Sequence, residues 1–274
     1  MKIKTLLYAG MAFILAGNAA GAADLPVMPV KAPPVFFVDT SGFYWGIEAG
    51  AGVQQASASG SPLFANSLVS GKLTASGGTV GGCFGYIKGH AAQWLGLQAC
   101  VDYQNISAGE VVANQPIGIA SRWSSTVEFR YGGTVDPLSM ISSTLGGLGI
   151  GGITFPTFTP IPPAGVNVEA GPRSYIAAGF EAFGVTGSVG SVNGADVAFA
   201  PMLKLGAIWQ ILDKTTGKPT GNAVDVSAMV SWPMRGFEVT NLGASGGGAP
   251  GFTGGLDTGT RYMGKVAFLF PVPR

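Results

Sequence analysis

The chain has 274 residues, a formal net charge of +1 and only 11% charged residues, against about 25% in an average soluble protein. Mean hydropathy is +0.37, yet after the N-terminal segment no run of about 18 apolar residues occurs, so no helix is expected to cross a bilayer. Near-balanced charge, with no basic patch interleaved with aromatics, excludes nucleic acid as an expected partner. An apolar, exported chain without such a helix is left with the closed β-barrel, the other fold that satisfies every backbone group inside lipid.

In chain order, Lys2 and Lys4 precede an apolar run from Leu6 to Gly17, followed by small residues at Ala20 and Ala22. This order reads as a secretory signal peptide over residues 1–22, cut near Ala22. Residues 23–40 contain the stretch DLPVMPVKAPP, too rich in proline for a helix or a central strand. They read as an extended periplasmic leader. The barrel is expected over residues 41–274.

From Gly42 onward side-chain character alternates with period two, as it must when successive residues face lipid and lumen in turn. Phe43, Trp45, Ile47, Ala49 and Ala51 share one face, and Tyr44, Gly46, Glu48 and Gly50 the other. Segments 95–103, 122–131, 197–209, 224–232 and 262–270 repeat the pattern. Weaker matches lie at 79–88, 139–153, 174–185 and 235–242, and the glycines of 139–153 leave its register undefined. The count is ten strands in an up-and-down antiparallel barrel, or eight if two weak segments are loop; bacterial single-chain barrels have an even number.

The connections 53–78, 105–121, 154–172, 211–222 and 243–259 are long, and 89–93, 133–138, 186–195 and 233–235 are short. With a periplasmic N-terminus and short periplasmic turns, every long connection is expected outside the cell. Aromatic side chains favour the two membrane–water interfaces. On this topology Tyr103, Trp123, Trp209 and Tyr262 mark the outer rim. Phe43, Trp45, Tyr86, Tyr131, Trp232 and Phe270 mark the inner one.

The run Ala22-Ala23-Asp24-Leu25-Pro26, then Lys31-Ala32-Pro33-Pro34, then Ser41-Gly42-Phe43-Tyr44-Trp45-Gly46, resembles the start of the small outer-membrane β-barrel proteins of alphaproteobacteria. These are often called porin-family or opacity-type surface proteins. The motif covers about the first fifth of the chain. The resemblance implies a barrel of eight or so strands and a structural or permeability role rather than catalysis. The chain departs from the family at its C-terminus. Such barrels commonly end on an aromatic that the barrel-assembly machinery reads, whereas here Phe268 and Phe270 are followed by Pro271-Val272-Pro273-Arg274. Acidic clusters of the kind found in the loops of that family are sparse.

Cys83 and Cys100 fall opposite each other if residue numbers in the hairpin of 79–88 and 94–104 sum to 183, both on the lumen side. Directly paired side chains lie near disulfide distance, so the expectation is a cross-strand disulfide, with two free buried thiols as the alternative. His90 is the one histidine. It falls in a periplasmic turn, away from where a barrel enzyme needs its general base, so no residue is assigned a catalytic role. Gly147 to Gly152 match a dinucleotide fingerprint, but prolines follow where the motif requires a helix. No cofactor and no metal site is expected.

The charges projected into the lumen are Glu48, Asp102, Glu128, Glu181, Asp225 and Glu238, with Arg122, Arg130, Lys204, Arg261 and Lys265. Isolated charges in a dry lumen are very costly, so these must pair across it or be hydrated. Paired, they form a plug and the barrel is an anchor. Hydrated, they line a narrow path for small solutes. The expected role is porin-like permeation or envelope structure, with the lipids of the outer membrane as surroundings. A surface-binding protein acting through its loops is the alternative.

Overall fold

The computed structural model describes residues 41–62, 69–90, 93–112, 115–133, 166–168, 172–189, 192–234, 237–240 and 252–272. The signal peptide, the leader and the segment 139–153 lie outside these residues, as does the glycine-rich fingerprint match.

The described chain is all-β. Its strands are β1 (Gly42–Pro62), β2 (Val69–His90), β3 (Gln93–Val112), β4 (Gln115–Gly133), β5 (Arg173–Val189), β6 (Val192–Leu212), β7 (Pro219–Ser231), β8 (Phe237–Thr240) and β9 (Phe252–Pro271). Eight of them form a closed ring in the order β1 to β7 and then β9, with β9 pairing back onto β1, every neighbour antiparallel. The four-residue β8 only extends the wall beside β9, at Phe237↔Leu256 to Thr240↔Thr253. Closure removes every sheet edge in the paired part of the wall, so no row of backbone donors is left for lipid to face.

The ten-strand count is corrected to eight in the ring. β4 pairs directly with β5 from Gly133↔Ser174 to Ile117↔Val189, which leaves no place between them for a strand from 139–153. Removing that strand reverses the direction of everything from β5 to β7. The connections 134–172 and 213–218 therefore emerge at the end where β1 starts, and 190–191 at the opposite end. The long loops expected at 53–78 and 105–121 are mostly strand, because β1 to β4 run 19 to 22 residues each. Sequence alternation is weakest there because the outward side chains turn small and polar.

The wall has two stories. In the half nearer the start of β1, apolar side chains face out: Leu95, Leu97, Val101 and Tyr103 on β3 are exposed, and so are Phe43, Trp45 and Ile47 on β1 and Val127 and Phe129 on β4. The exposed row of β3 spans 95–103, close to the ~9–11 residues of a tilted transmembrane strand. In the other half the pattern inverts. Lys72, Thr74, Ser76, Asn105 and Ser107 face out, while Leu73, Ile106, Ile117, Ile119 and Val185 pack inside. The upper story is built like a soluble protein.

The boundary carries bulges. Register shifts occur at Tyr103/Ile106, Ser121/Ser124 and Gln54/Ala56. In β4, Ser121 and Ser124 are both buried while Arg122 and Trp123 are both exposed, so one extra residue places two consecutive side chains outside.

Part of the glycine content follows from ring packing. Tyr44 stands opposite Gly85, Trp94 opposite Gly132 and Tyr175 opposite Gly206. At each of these glycines an added Cβ would collide with the aromatic ring of its neighbour. The bare backbone is what lets the rings lie inside so narrow a barrel.

Candidate functional site

Strand alternation at the level of the exposed belt sends the charged side chains of seven strands to the barrel axis. Five carboxylates are buried there: Glu48, Asp102, Glu128, Glu181 and Asp225. They face the buried cations Arg130, Lys204, Arg261 and Lys265. Three linked groups result.

On the β1–β3–β9 side, Lys265 Nζ lies 2.5 Å from both Glu48 Oε1 and Asp102 Oδ2. Across the lumen, Arg130 Nε donates to Glu128 Oε1 at 2.5 Å and its Nη1 to Asp225 Oδ2 at 2.9 Å. Lys204 Nζ stands 2.6 Å from the other oxygen of Glu128. The Tyr175 hydroxyl donates to Asp225 at 2.8 Å, and the Arg130 guanidinium lies over the Tyr175 ring, 4.6 Å from its centre. Higher up, Arg261 Nη1 donates to Glu181 Oε1 at 2.8 Å and Nη2 to Gln104 Oε1 at 2.7 Å. Ser231 closes on Glu181 Oε2 at 2.7 Å, and Arg261 lies over Phe183 at 4.0 Å. Charges this deeply buried persist only because each has an opposite charge and further hydrogen bonds around it.

The layer is sealed on both sides by apolar side chains. Above it lie Ala56, Leu73, Ile106, Ile117, Ile119, Phe183, Val185, Met202, Met229 and Met263. Below it lie Tyr44, Trp94, Tyr175, Ile208 and Leu269. Among the described residues the lumen is a stack of apolar, ionic and apolar layers.

Cys83 and Cys100 are joined by a disulfide across the β2–β3 pair, at the register where their numbers sum to 183. Glu48 Oε2 lies 3.1 Å from Cys83 Sγ. A bonded sulfur carries no proton, so this is a contact and not a hydrogen bond. The same three side chains are close enough to hold a metal ion, but the bond consumes the thiolates that would bind it.

The other sequence-derived assignments fall as follows. Arg122 is placed outside by the bulge, bonded to Asn105 Oδ1, which corrects its inward assignment. Glu238 belongs to β8, and its side chain lies outside the described set. Trp209 is corrected twice: it sits at the end where β1 starts, and it is only 1% exposed. Trp232 moves to the opposite rim, beside Tyr103, Trp123 and Tyr262, all exposed. At the near rim Trp45 stacks on Phe270 at 4.5 Å, Phe43 packs on Tyr86, and Tyr131 is half-buried. His90 pairs through its backbone with Gln93 beside the β2–β3 turn. Sequence reading missed Arg173, which is buried, and the uncharged partners Gln98, Gln104 and Tyr175. Their inward parity was available on strands already read, but uncharged side chains were passed over.

No protein-family model matches the chain, and no curated protein matches it. Among solved structures, the outer membrane protein OprG from Pseudomonas aeruginosa aligns at 12% identity and a TM-score of 0.42, over 85% of this chain and 98% of that one. Neisserial surface protein A aligns at 11% and 0.33, over 85% and 98%. Ail, the attachment invasion locus protein of Yersinia pestis, aligns at 8% and 0.28, over 81% and 98%.

Proposed function

We propose that this chain is an outer-membrane β-barrel that works as a closed anchor, holding its upper story and loops beyond the membrane, and not as a pore. The observation that carries this is the ionic layer spanning the lumen between two apolar clusters. A hydrated path would need its charges in water, whereas these are paired with one another. Residues 1–22 then serve export and 23–40 stay in the periplasm as a leader, while the barrel-assembly machinery reads Phe268 and Phe270 near the last strand's end. No catalytic role enters this reading.

Planar-bilayer recording of the folded, heat-modifiable protein tests it. The expected trace is silent, with no discrete conductance steps at either polarity. Reproducible steps from a sample shown to be folded would return the lumen to a porin role. A surface-binding role is the second reading. It is favoured by the upper story, whose polar exterior offers a rigid platform clear of lipid.

A further inference from the structure

The outer rim carries a cation that the wall does not neutralise. Arg122 is exposed. Among the described residues it donates to the neutral Asn105, and no carboxylate is ion-paired with it, whereas every base of the lumen layer has a carboxylate partner. The β4 bulge is what holds this guanidinium outside.

Beside Arg122 the outer face of β4, β5 and β6 forms a dent of about 270 Å³. Its lining includes Trp123, Gly184, Thr186 and Asp196 as well as Arg122. Arg122, Trp123, Thr186 and Asp196 are all exposed. The Trp123 ring lies on the bare backbone of Gly184, where an added Cβ would fall 2.3 Å from its Nε1. The ring is still 42% exposed. Asp196 brings a carboxylate from β6, steadied by the Val197 amide at 2.7 Å. Val197 lines the dent and, with Phe180, Phe199 and Val127, belongs to the exposed apolar belt.

The four polar groups and the belt match one kind of molecule. A guanidinium takes phosphate through paired N–H groups. An indole offers an apolar face with a polar edge, as a sugar ring does with its C–H face and hydroxyl rim. A carboxylate accepts from sugar hydroxyls, and a threonine hydroxyl donates or accepts. The apolar belt meets acyl chains.

We propose that Arg122, Trp123, Thr186 and Asp196 bind one phosphorylated glycolipid of the outer leaflet. The phosphate meets Arg122, a sugar ring covers Trp123, the sugar hydroxyls meet Asp196 and Thr186, and the acyl chains lie along Val197 and Phe199. The site rests on the reading of this chain as an outer-membrane barrel with its upper story outside.

The test is native mass spectrometry of the full mature protein in detergent, titrated with lipid A, fully dephosphorylated lipid A and phosphatidylglycerol. The expected result is one lipid A retained per chain, in preference to both other lipids. Arg122→Gln is expected to weaken lipid A binding about tenfold or more, as loss of a charged hydrogen bond does. Asp196→Asn is expected to narrow the preference for lipid A over phosphatidylglycerol. Lys72→Gln removes another exposed cation of the outer face, on β2 and outside the dent, and is expected to change nothing. Heat-modifiable migration of each variant controls for folding. Equal retention by wild type and Arg122→Gln, or equal weakening by Lys72→Gln, overturns the site. Fractionation of the wild type tests the parent reading separately: its absence from the outer membrane overturns both, whereas indiscriminate lipid retention by protein found there overturns the site alone.

Discussion

Arg261 answers to Glu181, Gln104 and the face of Phe183 at once, and it is fully buried. Removing one partner from such a pair leaves the other charge stranded, which costs about 3–5 kcal/mol, whereas replacing both by apolar groups is often near neutral. Arg261→Met is therefore expected to destabilise the barrel by about that amount in urea titrations from phospholipid vesicles. The double variant Arg261→Met with Glu181→Leu is expected to recover most of the loss; no recovery would mean the pair contributes more than relief of desolvation. Asp213 works differently, in the open β6–β7 connection. Its carboxylate accepts from the Thr215 and Thr216 amides at 2.9 and 2.7 Å and from the Thr216 hydroxyl at 3.0 Å, and Gly217 turns the chain at a φ of +66°. The Thr216 bonds first, then that from Thr215, favour the charged form and hold the Asp213 pKa below its ordinary value. A depressed folded pKa means the stabilisation is complete above the unfolded value, about 3.9, and is lost as pH falls through the lower folded one. Carboxyl-carbon NMR, assigned with Asp213→Asn, is expected to give a midpoint under ~3.9; a midpoint at or above it would dissolve the turn argument.

At the level of strands, the bulge in β4 decides what the outer rim presents. Arg122 and Trp123 both face out because two residues of β4 oppose Gly184 alone on β5. In intact cells Arg122→Cys is expected to react with a membrane-impermeant maleimide, while Thr126→Cys, buried four residues on, is expected not to. Labelling at both positions, or silence at both, would place them on one face, as an unbulged strand requires. The bulge also marks where sequence reading stops. Alternation identified the inward face of Glu48, Asp102, Glu128 and Lys204 because those strands are regular around them. It misplaced Arg122 because an inserted residue flips parity without leaving a composition signal. Trp209 and Trp232 were put at the wrong ends by a different cause: one glycine-rich segment, 139–153, taken as a strand reverses every strand after it until a second extra strand restores the sense. The hairpin register at Cys83 and Cys100 was legible because a short turn fixes it.

For the molecule as a whole, strand length is the dominant fact. On β2 the stretch from Val69 to Thr79 lies beyond the exposed belt that begins at Val80; at ~3.4 Å per residue and a tilt of ~40° that is a tower of roughly 28 Å. A rigid tower suits display at a distance from the lipid, in keeping with an anchor whose lumen is filled. The Cys83–Cys100 bond adds a constraint of another kind, on the order of assembly. It lies inside the sealed ring, where no oxidising enzyme reaches once β1 has met β9. Oxidation must therefore come first, while the chain is still in transit. Chains trapped before insertion are expected to resist thiol alkylation until reduced; free thiols in that pool would reverse the order. A one-residue slip would turn every side chain of a strand to the wrong face. On that order the β2–β3 hairpin enters the ring with its own register already fixed.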